Sequence, residues 1–169
     1  VERICVHGRT LRQRYAGQAD WSQIREIVDA VEIPVIANGD VVDAASASAC
    51  LEATGAAGLM IGRGAIGRPN IFHEIKRDLG WQTNEPPWSE ENPTIARSWC
   101  WERYQELSRE VYDEGQCKNL KRHAVSFTKS LPGASKMRVE LHSINDQNML
   151  GERVSEYLRE LADTTALVV

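Results

Sequence analysis

Three short apolar runs alternate with stretches of helical periodicity over the first 80 residues, and no other feature constrains the fold as tightly. The runs are "RICVH" (3–7), "IPVIAN" (33–38) and "AGLMIG" (57–62). Between them, "ADWSQIREIVDAV" places Trp21, Ile24, Ile27, Val28 and Val31 at helical spacing behind Asp20 as N-cap. "DAASASACLEATG" has Asp43 at its start and Gly55 where a C-cap belongs, and "PNIFHEIKRDLG" follows the third run. Strand-helix alternation of this kind predicts a parallel sheet with crossover helices. Strands apolar throughout predict burial on both faces.

The pattern then changes. "WQTNEPPWSEENP" (81–93) has three prolines and no periodicity, which marks a linker. Beyond it every periodic stretch is helical. Asn92-Pro93 opens a helix expected to run to about Glu114, and a second is expected over about Lys118–Ser130. Leu131-Pro132-Gly133 makes a turn, "ASKMRVELHSI" a third helix and about Gly151–Ala162 a fourth. The organisation expected is therefore an α/β domain over 1–80, a linker over 81–93 and a helical domain over 94–169.

Composition excludes several classes. With 169 residues, 42% of them hydrophobic, the chain can bury a real core. Cys5, Cys50, Cys100 and Cys117 are widely spaced and lack clustered histidines, so reduced thiols of a cytoplasmic protein are expected, with no disulfide framework and no metal site. No run approaches the roughly 20 apolar residues that span a bilayer, and neither a membrane partner nor a signal peptide is expected. The chain opens without Met inside a strand-like run, "VERICVHGRT", and reads as a piece of something longer.

Residues 58–70, "GLMIGRGAIGRPN", contain G-x-G-x-x-G at Gly62, Gly64 and Gly67. A dinucleotide fold would need this string after its first strand, with an acidic residue about 20 positions on at the end of a second strand. Here that position falls in the proline-rich linker. The other reading is a phosphate loop of the kind found after the late strands of (β/α)8 barrels. Gly62 and Gly64 would offer backbone N–H groups unobstructed by Cβ, and Arg63 a cation able to pair with phosphate oxygens. Asn38-Gly39-Asp40 ends the preceding strand on the same rim. Tight strand-to-helix turns alone would also require such glycines, and the spacing leaves both readings open. His7-Gly8-Arg9-Thr10 ends the first strand on that rim, where a His and an Arg are candidates for a flavin ring or an anionic substrate. Tyr15 and Trp21 are read as packing residues.

Charge is unevenly distributed. The net charge is −4, yet Gly115–Val139 carries Lys118, Lys121, Arg122, Lys129, Lys136 and Arg138 with no acid, leaving 14 basic against 24 acidic residues elsewhere. Lys118, Lys121, Arg122 and Lys129 fall close to one side of a helix, with His123 beside them. A solvated face and a phosphate-backbone contact both fit such a run.

Taken in order, "VHGRTLRQRYAGQADW", "IPVIANGDV", "TGAAGLMIGRGAIGRPNIF" and "LKRHAVSFTKSLPGASKMR" resemble the tRNA-dihydrouridine synthases, densely over about residues 3–75 and more loosely over 118–141. The resemblance implies an α/β fold: the last three βα units of a (β/α)8 TIM barrel, followed by an α-helical bundle that grips tRNA. It implies FMN as cofactor, NADPH as reductant, and reduction of the C5–C6 bond of particular uridines. His7 would stand beside flavin and uracil, and Asn38, Gly39, Asp40, Gly62 and Arg63 would contact FMN. Arg9 would serve the substrate side, and Lys118, Lys121, Arg122 and His123 the tRNA. The family's proton-donating cysteine and flavin-contacting lysine lie in the barrel's first half and have no counterpart here, so this chain alone is expected to be an inactive monomeric fragment. A sugar-phosphate isomerase barrel and a non-catalytic RNA-binding module are the alternatives. A basic helical tail disfavours the isomerase, and flavin content separates the module.

Overall fold

The computed structural model describes residues 1–86, 88, 93–111 and 117–166, excluding the side chains at 93, 111, 117, 118, 165 and 166. Among them the chain divides into two units. One comprises Val1–Ala65 and Ile71–Thr83; the other comprises Ile66–Asn70 and the residues from Asn84 on.

In the first unit, β1 (Ile4–His7), β2 (Val35–Asn38) and β3 (Gly58–Met60) form a parallel sheet in the order β1-β2-β3. The crossovers are α1 (Trp21–Ala30) and α2 (Ala44–Thr54), and α3 (Ile71–Asp78) comes after β3. The caps fall where the sequence puts them. Asp20 accepts from the Ser22 N–H, Asp43 and Ser46 form a reciprocal capping box, and Gly55 closes α2 at φ 66°. A 3-10 turn over Arg63–Ala65, which the periodicity did not foretell, separates β3 from α3.

The register pairs Val6 with Ala37 and Ala37 with Leu59, and on the other face His7 with Asn38 and Asn38 with Met60. Val35, Ala37, Ile24, Val41, Ala47, Cys50, Ile71 and Ile75 are buried together, with Ile4, Val6 and Leu59 packed against them. The opposite face is not buried: Cys5 and His7 are exposed and Met60 is 50% exposed. The expectation of burial on both faces is therefore corrected. Helices cover one side of these three strands, and nothing among the described residues of this unit covers the other.

The second unit is helical: α4 (Pro93–Val111), α5 (Cys117–Thr128), α6 (Ala134–Ser143) and α7 (Gln147–Ala166). Trp101, Leu120, Ala124, Phe127, Met137, Leu141, Leu150, Val154 and Leu158 form its core. The Trp101 indole N–H donates to the Gly151 carbonyl at 3.2 Å. The Gln105 side chain lies over Gly151, where a Cβ would require its amide end to shift. The fourth helix starts four residues earlier than periodicity suggests. Asp146 accepts from the Met149 N–H at 2.8 Å and acts as its N-cap. The expected cap at Asn92 and the end of α4 beyond Val111 lie outside the described residues.

Candidate functional site

Parallel strands bring their C-terminal ends to one rim, and the loops after β1, β2 and β3 are bonded to one another there. The Gly8 N–H donates to the Asn38 carbonyl at 2.9 Å and the Asp20 N–H to the Gly8 carbonyl at 2.6 Å. The Nδ1 of His7 lies 3.0 Å from the same Asn38 oxygen. A carbonyl only accepts, so Nδ1 carries a proton in this contact. Asn38 in turn donates its amide to the Met60 carbonyl at 2.7 Å, tying β2 to β3. Trp21 is half-buried against the core as expected, and its indole N–H also donates to the Gly39 carbonyl at 3.1 Å.

Asp40 is the hub. It adopts φ 58°, uncommon for a residue with a side chain, directly after Gly39 at φ 138°. A Cβ at Gly39 would stand 2.7 Å from that of Ala19, so the turn requires glycine twice over. The Asp40 carboxylate accepts from Arg9 at 2.8 and 2.7 Å and from the Ala19 N–H at 2.7 Å. The guanidinium of Arg63 adds an ion-pair contact at 3.6 Å. The Arg9 hydrogen bonds, helped by the Ala19 N–H and the charges of Arg9 and Arg63, hold the Asp40 carboxyl below the ordinary carboxylate range against an opposing effect of burial.

Arg9 also donates to the carbonyls of Ala16 (3.3 Å) and Gly17 (2.6 Å), and its side chain is only 3% exposed. Four of its five N–H donors are thus spent on the chain itself. Arg63 is different: 55% exposed, it lies 4.5 Å over the Tyr15 ring. Tyr15 is itself 71% exposed, which corrects its reading as a packing residue. Its loop turns outward through Arg14 at φ 50°, and the ring meets a cation where a core was expected.

The three glycines of "GRGAIG" do three separate things. A Cβ at Gly62 would meet nothing within 4 Å, so that backbone is open to a ligand. One at Gly64 would stand 2.5 Å from the Val41 carbonyl oxygen, so Gly64 is a packing glycine between two loops. Gly67, at φ 76°, abuts the Ser126–Phe127 backbone within the helical unit. Only the first leaves its backbone open.

In the helical unit the basic residues differ in availability. Lys121 donates to the His142 carbonyl at 3.1 Å and to Asn145 at 3.2 Å, closing the end of α6. Arg122 and Lys129 are exposed. His123 packs against Tyr104 at a tilt of 35°, with ring centroids 4.7 Å apart. Burial, then the Arg122 charge, lowers its pKa below the ordinary histidine value. The Lys118 side chain lies outside the described residues, as does Cys117. Ser130, Leu131, Gly133, Ala134, Ser135 and Arg138 line a cavity of about 380 Å3. Among the described residues no group of three or more His, Cys, Asp or Glu could hold a metal ion, and no helix is long and apolar enough to cross a membrane.

Parallel βα units with an open glycine and an exposed arginine at their shared rim define an α/β protein. The sequence matches the dihydrouridine synthase (Dus) family over residues 1–162, and the chain belongs to that family. It is 32% identical over 99% of its length to a "Probable tRNA-dihydrouridine synthase" of Rickettsia conorii, covering 50% of that protein. It is 33% identical over 95% of its length to the "tRNA-dihydrouridine synthase B" of Pseudomonas aeruginosa, covering 47% of it. Over 47% of the chain, identity to a "Probable tRNA-dihydrouridine synthase" of Rhodobacter capsulatus reaches 55%, covering 24% of that protein. The chain spans about half the length of the first two of these relatives. The family is flavin-dependent, is built on a TIM barrel and acts on tRNA uridines.

Proposed function

We propose that this chain supplies the last three βα units and the tRNA-binding helical unit of an FMN-dependent tRNA-dihydrouridine synthase. The enzyme would reduce the C5–C6 bond of uridine in tRNA with NADPH as the source of reducing equivalents. One observation carries the flavin assignment: Gly62, open where a Cβ would sit, is followed by Arg63, an exposed cation on the rim where His7 and Asn38 also lie. That set fits a phosphate-bearing ring cofactor. In this reading the N–H groups around Gly62 and the Arg63 guanidinium hold the phosphate. Asn38 and Gly39 shape the adjoining wall, and His7 offers Nε2 towards ring or uracil. FMN, when bound and reduced, supplies hydride to the substrate.

The residues of the helical unit serve to place the RNA. Arg122, Lys129 and Lys118 would contact phosphates, which orients the tRNA without reading its sequence. The reacting uridine would leave its stack to enter the barrel mouth. No proton donor is assigned to this chain. Cys50 and Cys100 are buried in helices, and burial raises the thiol pKa of Cys5. Membership of the family displaces the isomerase alternative.

The test is direct. Full-length protein purified from cells is expected to be yellow, to release FMN on denaturation, and to form dihydrouridine in unmodified tRNA when given NADPH. A colourless protein that binds tRNA and forms none would identify a non-catalytic RNA-binding module.

A further inference from the structure

We propose that Asp40 and Tyr15 are positioning residues for Arg63, holding that arginine for a ligand phosphate without touching the ligand themselves; the inference rests on the flavin reading above. The carboxylate of Asp40 faces the chain's own donors: two from Arg9 and one from the Ala19 N–H. Arg63 stands 3.6 Å from Asp40 Oδ1, close enough for attraction but beyond a good hydrogen bond. The carboxylate therefore draws the guanidinium in without consuming its donors. Tyr15 adds a cation–π contact, its ring centroid 4.5 Å from the guanidinium carbon of Arg63. That contact rests on the ring's quadrupole and supplies no oxygen or nitrogen acceptor, so it leaves the Arg63 donors for the acceptors of a ligand.

Charge points the same way. Arg9 and Asp40 neutralise each other behind the rim, where Arg9 is 3% exposed. The net positive charge of the trio therefore resides on Arg63, at the exposed side and next to the open backbone of Gly62. A carboxylate on a phosphate-binding rim would repel the ligand if it faced it. Turned towards Arg9, it becomes an anchor. An arginine held between a ring and a carboxylate has less freedom to lose when the anion arrives, which is how preorganisation raises affinity. Neither Asp40 nor Tyr15 needs contact with the ligand for this.

The experiment compares affinity for FMN with affinity for riboflavin, which lacks the phosphate, in flavin-stripped full-length protein. The variants are Asp40→Asn, Tyr15→Ala, Tyr15→Phe, Arg63→Ala and the double variant Asp40→Asn/Arg63→Ala. Asp40→Asn and Arg63→Ala are each expected to weaken FMN about tenfold, the scale of one charge-assisted contact. Tyr15→Ala should weaken it about threefold, the scale of an exposed cation–π contact, and Tyr15→Phe should restore it. Riboflavin affinity should stay level throughout, and the double variant should be no worse than Arg63→Ala alone. Equal losses for both flavins, or additive losses in the double variant, would overturn the proposal. Because Tyr15 is 71% exposed, Tyr15→Ala keeps the test open if Asp40→Asn does not fold. A wild-type protein that binds neither flavin would remove the flavin reading and this proposal together; one that binds both, with flat variants, would remove this proposal alone.

Discussion

Arg9 and Asp40 meet side on, two guanidinium nitrogens to two carboxylate oxygens at 2.8 and 2.7 Å, and so join the loop after β1 to the loop after β2. Because the Asp40 pKa is lowered on folding, its contribution to stability is complete above the unfolded carboxyl's ordinary value of 3.8 and is lost as pH falls through the lower folded value. Thermal melts of wild type and Asp40→Asn should therefore differ most at neutral pH and converge in strong acid. Arg9→Ala should cost on the order of 2 kcal/mol, because it leaves a partly buried carboxylate without its main partner. Parallel melting curves at every pH would refute the coupling.

Gly62 and Gly64, two residues apart, should respond oppositely to alanine. At Gly62 the new methyl meets open space, so stability should hold within about 0.5 kcal/mol while flavin affinity drops. At Gly64 it meets the Val41 carbonyl, so unfolding should become easier by about 2 kcal/mol. Denaturant midpoints and flavin titrations of the two variants decide it.

His123 carries a second pH dependence, in the helical unit. Burial lowers its pKa from 6.5, so the unfolded chain takes up a proton before the folded one does. Stability should fall as pH drops from about 7 through the folded pKa and then level off. His123→Phe, which keeps a ring against Tyr104, should flatten that slope when denaturant midpoints are measured from pH 7.5 to 5.

For RNA contact, Arg122→Glu is a cleaner probe than any change at Lys121. Lys121 closes the end of α6, so its removal should cost about 0.5–1 kcal/mol of stability whatever it does to tRNA. Arg122→Glu should weaken tRNA binding and reduce its salt dependence, leaving flavin content unchanged. Filter binding at two ionic strengths tests this. An unchanged affinity and salt slope would make Arg122 an ordinary solvated residue.

What could be read in advance was local. Asp20, Asp43 and Gly55 act on backbone groups within four residues of themselves, and all three perform the capping their positions suggest. Asp146 is equally local, but the apolar period near Gly151 obscured it. The relationships across the rim were not legible, because Arg9, Ala19, Asp40 and Arg63 meet only when three loops are folded back on one another. The motif H-G-R-T showed that an arginine stands at a strand end; it could not show that its donors turn inward. Nor could an apolar strand reveal how many of its faces are covered, since the helices on one side leave Cys5, His7 and Met60 open on the other.

Ile66–Asn70 belongs with the helical unit, although the residues on either side of it, to Ala65 and from Ile71, belong with the sheet. The boundary is therefore crossed at three places along the chain and not once. A cut in the proline-rich stretch would leave Gly67 on one product and the Ser126–Phe127 backbone it abuts on the other. The helical unit is not a cassette that recombination could lift out or graft on at a single joint. Any exchange between relatives has to carry the 66–70 strap along with its helices, or rebuild both surfaces at once.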